Sequence, residues 1–143
     1  MIFDTNALSA FLLADRDLLA AVPGHTIIRL PVIVLGEYRF GLSKSRERVK
    51  LGHLLDEFEK VVEVLPVDAM TVQPYAEIRQ QLHKEGRPIP QNDAWIAALA
   101  IQHQLPVLTR DGHFDGITGL RSRDLERPKR YSPRTITGRR MMV

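Results

Sequence analysis

An apolar run that ends in three polar residues, Met1-Ile2-Phe3-Asp4-Thr5-Asn6, sets the architecture of this chain. Buried strands of parallel sheets are short and almost wholly apolar, so we interpret residues 1–3 as a strand. Residues 8–21 follow with apolar side chains at helical spacing, which predicts a helix. A strand that leads through an acidic residue into a helix is typical of an open α/β sheet, where ligands bind beyond the strand ends.

The same alternation of strand and helix continues along the chain. Asp68 is predicted to cap the helix that Gly86 ends. Strands separated by helices of this length predict a parallel α/β sheet covered on both faces. The further strands are predicted at 26–30, 61–67 and 106–109 with one more brief strand before Arg121, and the further helices at 31–43, 47–60, 69–85 and 92–104.

The composition is that of one globular domain. The 143 residues suffice for a hydrophobic core, and 44% hydrophobic and 26% charged residues are ordinary proportions. No apolar run approaches the roughly 18–20 residues that span a bilayer, and no secretory signal is visible. The absence of cysteine excludes disulfides and thiolate metal sites and fits a reducing compartment, so we expect a cytoplasmic protein without a membrane partner.

The charge is distributed unevenly. Residues 1–120 carry 12 Lys and Arg against 15 Asp and Glu, a net charge of −3, whereas residues 121–143 carry 8 against 2, a net charge of +6. A basic segment of this kind attracts polyanions through counterion release. A solvated, partly disordered end explains the composition equally well, so both interpretations stay open.

Four acidic residues lie at the ends of predicted strands or near the starts of predicted helices: Asp4, Glu37, Asp93 and Asp111. Carboxylates gathered at one sheet edge repel one another unless a cation lies between them. Oxygen ligands favour Mg²⁺ or Mn²⁺ over Zn²⁺, and the five histidines show no zinc-type spacing. The sequence therefore predicts a site for a hard divalent metal.

Each acid also has a simpler explanation when it is taken alone. Asp4 and Asp93 suit helix N-caps, and Asp111 suits a turn before a glycine. Glu37 could form an ion pair with Arg39 or Lys44, or lie exposed at the edge of its helix. Asp115 is either a fifth carboxylate or another turn residue, and it ranks below the other four. The metal site is favoured because four such positions occur together at one predicted edge.

Four segments contain the four acids: Ile2-Phe3-Asp4-Thr5-Asn6-Ala7-Leu8-Ser9, Val34-Leu35-Gly36-Glu37, Asn92-Asp93-Ala94-Trp95-Ile96-Ala97 and Leu108-Thr109-Arg110-Asp111-Gly112-His113-Phe114. These segments closely resemble the motifs of the PIN-domain ribonucleases, and the residues after Glu37 look most like those of VapC-type toxins from bacterial toxin–antitoxin pairs. The resemblance covers residues 1–120 and leaves 121–143 as a basic tail. It implies a three-layer α/β/α domain with a mainly parallel central sheet.

The resemblance implies hydrolysis of RNA with the help of one or two Mg²⁺ or Mn²⁺ ions, leaving 5′-phosphate and 3′-hydroxyl ends. Asp4 and Asp93 are then expected to be direct metal ligands. Glu37 and Asp111 are expected to bind the metal directly or through water. The same four residues would form the catalytic quartet.

Further residues are expected at the substrate side of this site. Asn6 and Thr109 are expected as supporting polar residues, and Arg110 is expected to hold flanking RNA phosphates. The toxin resemblance also implies a cognate antitoxin protein, which we expect to insert an Arg or Lys among the four acids.

Homodimerisation is expected from the two helices at 31–60, which offer more apolar surface than one sheet face requires. Core packing is the alternative explanation for that surface. The apolar side chains in question are Tyr38, Phe40, Leu42, Leu51, Leu54, Leu55 and Phe58.

Two other functions compete with the ribonuclease. A non-catalytic RNA- or protein-binding module would keep the fold without the metal, but all four acidic positions are filled. A small-molecule phosphohydrolase with Asp4 as nucleophile normally requires a second Asp two residues later, and that position is Asn6.

Overall fold

Five short parallel strands form the centre of the molecule, which a computed structural model describes over residues 1–124. The strand order is β3-β2-β1-β4-β5, and every neighbouring pair is parallel. Because all strands run the same way, their carboxyl ends meet at one edge of the sheet. The strands are β1 Ile2–Phe3, β2 Arg29–Pro31, β3 Glu63–Leu65, β4 Val107–Thr109 and β5 Ser122–Asp124.

Six α-helices alternate with these strands within residues 1–124, and the predicted parallel α/β architecture is confirmed. None of the helices in this range is long and apolar enough to cross a membrane. Asp68 caps a 3₁₀ turn, Ala69–Thr71, that leads directly into α5, as predicted. The helices are α1 Thr5–Leu12, α2 Arg16–Ala21, α3 Val32–Leu42, α4 Arg48–Glu59, α5 Val72–Lys84 and α6 Gln91–His103.

The single helix predicted over residues 8–21 is wrong, because α1 and α2 are separate. Ala14 has a φ of 54°, a left-handed conformation that ends a helix. Asp15 then starts the next one, since its carboxylate accepts hydrogen bonds from the backbone N–H groups of Asp17 at 3.0 Å and Leu18 at 3.1 Å. The apolar spacing continues across this break, so periodicity alone could not detect it.

The strands are shorter than predicted at 26–30 and 61–67, and the last strand lies elsewhere. It follows Arg121 instead of preceding it, and Ser122 pairs with Val107 of β4. The sheet therefore extends past residue 120, where the predicted basic tail starts. Whether that tail is ordered concerns residues 125–143, which lie outside the described residues.

The apolar surface predicted on α3 and α4 is largely core. Tyr38, Leu42, Leu55 and Phe58 are buried, so the expectation that they face outward is wrong for these four. The cause is packing of α3 and α4 against α1, where the rings of Phe11 and Phe58 have centroids 4.7 Å apart. Phe40, exposed over 67% of its surface, and Leu54, exposed over 41%, remain outside.

Candidate metal centre

A cleft of about 520 Å³ opens at the carboxyl-terminal side of β1 and β4. It is formed by the start of α1, the middle of α3, the first turn of α6 and the turn after β4. All four acids predicted at the sheet edge lie in its wall. The lining residues are Asp4, Thr5, Asn6, Glu37, Pro90, Gln91, Asn92, Asp93, Asp111 and His113.

Asp4 is a helix cap and a wall residue of the cleft at the same time. Its Oδ1 accepts a hydrogen bond of 2.8 Å from the backbone N–H of Ala7, and its Oδ2 accepts one from the hydroxyl of Thr109. Burial raises the pKa of Asp4 to about 6, and the negative charges of Asp93 and Asp111 act in the same direction. The two hydrogen bonds oppose the rise without cancelling it.

Glu37 enters the cleft from α3 with part of its carboxylate unsatisfied. Burial raises the pKa of Glu37, and the charges of Asp93 and Asp4 add to the rise. The Thr5 side chain lies near enough to act on this charge, yet Oγ1 of Thr5 and Oε1 of Glu37 are buried without a hydrogen-bond partner among the described residues. Buried polar atoms are rarely left in this state. Both atoms are therefore available to a bound group.

Asp93, in the first turn of α6, and Asp111, which caps the 3₁₀ turn Gly112–Phe114, approach the same imidazole. Nδ1 of His113 lies 2.7 Å from Oδ2 of Asp93 and 3.0 Å from Oδ2 of Asp111. Burial raises the pKa of Asp93, while His113 lowers it. One ligand atom from each of the three residues lies within 4.8 Å of the others, so the group could hold a metal ion.

The sequence prediction missed His113. The absence of zinc-type spacing among the histidines hid its role, because the relevant partner is Asp93, 20 residues away on another element. The available signal was its position two residues after Asp111, in the turn that follows β4.

Thr109 is buried behind Asp4 and is not one of the residues that line the cleft. Its side chain is 1% exposed, and the hydroxyl is used twice: it donates to Asp4 and accepts from the backbone N–H of Asp111 at 2.8 Å. The hydroxyl of Thr109 is thus engaged in hydrogen bonds within the protein. Thr109 positions two of the acids. Asn6 is exposed and lines the cleft, where it can contact a ligand.

Arg110 and Asp115 lie outside the cleft wall. A guanidinium nitrogen of Arg110 contacts Oδ2 of Asp15 at 2.8 Å, which ties the end of β4 to the start of α2. Asp115 is exposed, and its backbone carbonyl accepts a hydrogen bond of 2.7 Å from Arg87. The lower rank given to Asp115 matches its place in the turn.

The donor set of the cleft fits a hard cation. Four carboxylates from four elements share one wall, and burial raises the pKa of three of them, while the negative field of the neighbouring carboxylates adds to the rise. Oxygen ligands of this kind suit Mg²⁺ and Mn²⁺. A cation would neutralise the field and satisfy the orphaned oxygen of Glu37.

Comparison with known proteins gives a consistent result. Residues 1–120 match the PIN domain family. Ribonuclease VapC5 of Mycobacterium tuberculosis is 35% identical over 98 residues, covering 67% of this chain and 73% of that protein. VapC ribonuclease Y4jK of Sinorhizobium fredii is 32% identical over 121 residues, covering 78% and 86%. The structure of VapBC2 from Rickettsia felis, bound to a DNA fragment from their promoter, superposes with a TM-score of 0.76 at 27% identity, covering 87% of this chain and 98% of that one.

Proposed function

This chain belongs to the PIN domain family, and we propose on that premise that it is a metal-dependent endoribonuclease, the toxin of a toxin–antitoxin pair. The observation that carries the proposal is the shared cleft wall of four carboxylates with one buried, unpartnered oxygen. The names of the similar proteins, ribonucleases of the VapC group, support the same activity.

Asp4, Glu37, Asp93 and Asp111 are the proposed catalytic quartet and hold Mg²⁺ or Mn²⁺. An ion held by these residues would lower the pKa of a water molecule and offset negative charge on the scissile phosphate. Attack by water instead of the ribose 2′-hydroxyl leaves 5′-phosphate and 3′-hydroxyl ends.

The protein's own side chains prepare the site before the metal arrives. Thr109 and the N–H of Ala7 fix both oxygens of Asp4, so this ligand needs little reorganisation. Asn6, exposed at the cleft wall, supplies an amide for the RNA strand. Arg110 pairs with Asp15, so a phosphate contact from Arg110 requires that ion pair to be exchanged or shared.

The test is cleavage of a defined RNA by the purified protein with Mg²⁺, with Mn²⁺ and with EDTA, followed by mapping of the product ends. We expect metal-dependent cuts with 5′-phosphates. Hydrolysis of a generic phosphomonoester without RNA cleavage would favour a small-molecule phosphohydrolase. RNA binding without cleavage would favour a non-catalytic module.

The antitoxin is proposed to place an Arg or Lys in the acidic cleft, in competition with the metal. One charge-assisted contact contributes roughly 1.5–3 kcal/mol, so most of the affinity comes from an amphipathic segment of the partner in an apolar groove. Growth arrest on cytoplasmic expression, relieved by the neighbouring reading frame, is the expected result. A chain that is harmless when expressed alone would contradict the toxin role and leave the nuclease role intact.

A homodimer is proposed through the outer surface of α3 and α4. Four apolar side chains stay exposed there: Val32, Phe40, Val49 and Leu54, with exposures of 42%, 67%, 67% and 41%. Phe40→Asp should shift the mass in light scattering from dimer to monomer at micromolar concentration. Met70→Asp is the matched control, since Met70 is 73% exposed but precedes α5. A wild-type monomer would contradict the dimer.

A further inference from the structure

The imidazole of His113 faces the same space as two of the proposed metal-binding carboxylates. Nδ1 lies 2.7 Å from Oδ2 of Asp93 and 3.0 Å from Oδ2 of Asp111. The ring therefore contacts one acid from α6 and one from the turn after β4. It is the one imidazole in the cleft wall formed by the described residues.

The backbone at His113 is fixed on both sides of the residue. The N–H of His113 donates to Oδ1 of Asp111 at 2.9 Å, which leaves Oδ2 of that carboxylate turned toward the imidazole. The next residue, Phe114, is 1% exposed and anchored in the core. A side chain between a capped turn and a buried aromatic residue is preset, as metal ligands in rigid sites are.

The spacing of the three atoms is that of neighbouring ligands around one ion. Octahedral Mg²⁺ holds oxygen ligands at about 2.0–2.1 Å, which places adjacent ligand atoms about 3 Å apart. The nitrogen-to-oxygen separations in this cluster, 2.7 and 3.0 Å, already match that distance. Carboxylates and water suit both Mg²⁺ and Mn²⁺, whereas an imidazole nitrogen is a better ligand for a transition-metal ion such as Mn²⁺ than for Mg²⁺. A nitrogen at this position would therefore change which ion the site prefers.

We propose that His113 is a direct nitrogen ligand of the ion held by Asp93 and Asp111, and that it makes the site prefer Mn²⁺ to Mg²⁺. The inference rests on the proposed function, since it requires that the cleft bind a divalent cation. Coordination through Nδ1 needs its lone pair, so the proton on that nitrogen passes to solvent when the ion enters. Asp93 and Asp111 remain ligands through the Oδ2 atoms that lie beside Nδ1.

The experiment measures metal binding by the full chain without RNA. Electron spin echo spectroscopy of bound Mn²⁺ reports nitrogen within its coordination shell, and calorimetric titration gives separate affinities for Mn²⁺ and Mg²⁺. His113→Gln removes the ring. The matched control is His103→Gln, which removes an exposed histidine from the last turn of α6, away from the cleft wall.

We expect a nitrogen signal in the wild type and in His103→Gln that is lost in His113→Gln. The Mn²⁺ affinity of His113→Gln should fall by about 10-fold or more, with a much smaller change for Mg²⁺. Mn²⁺ binding without a nitrogen signal would overturn the inference, as would unchanged or tighter Mn²⁺ binding by His113→Gln, and both results would leave the nuclease proposal standing. Failure of the wild type to bind either ion would overturn both.

Discussion

Asp4 and Asp68 each start a helical segment in this protein, and of these two only Asp4 lies in the cleft. Asp4 accepts from the N–H of Ala7, and Asp68 accepts from the N–H of Met70 at 2.9 Å. Each also contacts a buried threonine hydroxyl: the carboxylate of Asp4 accepts from Thr109, and the backbone N–H of Asp68 donates to Thr71 at 3.1 Å. The local chemistry of the two caps is therefore nearly the same.

Their surroundings differ in the balance of donors and acceptors. Around Asp68, the amide of Gln102 donates to Asp68 at 3.3 Å and accepts from Thr71 at 2.7 Å, so the polar groups serve one another. Asp4 instead shares its cleft with three more carboxylates, one of which keeps a buried oxygen without a partner. A satisfied network stabilises a fold, whereas an excess of acceptors requires a cation. A cap residue thus becomes a candidate ligand only through its neighbours.

The largest expected contrast between the two regions is in catalysis. Asp93→Asn should reduce RNA cleavage by at least about 10²–10³-fold, because it removes a charged ligand from the cluster of carboxylates in the cleft. Asp68→Asn makes the same chemical change in the satisfied network and should leave cleavage unaltered. The measurement is single-turnover cleavage of a defined RNA in Mg²⁺. Full activity of Asp93→Asn would contradict a catalytic role for the acidic cluster in the cleft.

The stability of the metal-free protein should fall as the pH rises. Burial raises the folded-state pKa of Asp4 from 3.8 to about 6, so the folded protein binds this proton more tightly than the unfolded chain does. The stability gained from that proton is complete below the unfolded value and is lost as the pH rises through about 6. Asp4 alone should remove roughly 1–2 kcal/mol between pH 5 and pH 7.5, and the raised pKa values of Glu37 and Asp93 act in the same direction.

Urea unfolding in EDTA at the two pH values checks this slope. Asp4→Asn should flatten it and raise the free energy of unfolding at pH 7.5 by up to about 3 kcal/mol, since a neutral amide carries no buried charge. Saturating Mg²⁺ should also flatten it for the wild type, because the ion binds only the folded state. A metal-free protein that is most stable at pH 7.5 would contradict the raised pKa of Asp4.

The sequence predicted the convergence of the acids because strand ends can be recognised locally. Apolar runs before Asp4 and Asp111 mark where two strands stop, and parallel strands bring those ends together. The alternation of strands and helices then follows from hydrophobic periodicity. These features can be predicted because each of them is determined by the residues of a single segment.

The parts that the sequence did not predict depend on contacts between distant segments. Thr109 turns toward Asp4, 105 residues earlier, because β1 and β4 pair with Phe3 beside Leu108. His113 acquires its partners only when α6 packs against the turn after β4. Similarly, the number of exposed apolar side chains on α3 and α4 follows from how α1 covers them.

A smaller contrast is expected between the two buried threonines. Thr109→Val and Thr71→Val each leave buried polar partners unsatisfied and should each cost about 1–3 kcal/mol of unfolding free energy. Thr109→Val should also reduce cleavage, by roughly 10–100-fold, because Asp4 loses the group that orients it. Thr71→Val should not. The two readouts are urea unfolding and the single-turnover rate, and equal loss of activity in both variants would show that the effect is general destabilisation.

The smallest expected effect is on the free energy of unfolding when Asp68 loses its charge but keeps its role as a helix cap. Asn is as good a helix cap as Asp, so Asp68→Asn should change the free energy of unfolding by no more than a few tenths of a kcal/mol. Asp68→Ala removes the acceptor for the N–H of Met70 and should cost about 1 kcal/mol. Neither should change RNA cleavage or metal affinity. At Asp4, by contrast, substitution by Asn should weaken metal binding, because Asn keeps the helix cap but loses the charge that binds the ion. If Asp68→Asn weakened metal binding as Asp4→Asn is expected to, the charge of Asp68 would also act on the metal site. The proposed difference between the two caps would then be wrong.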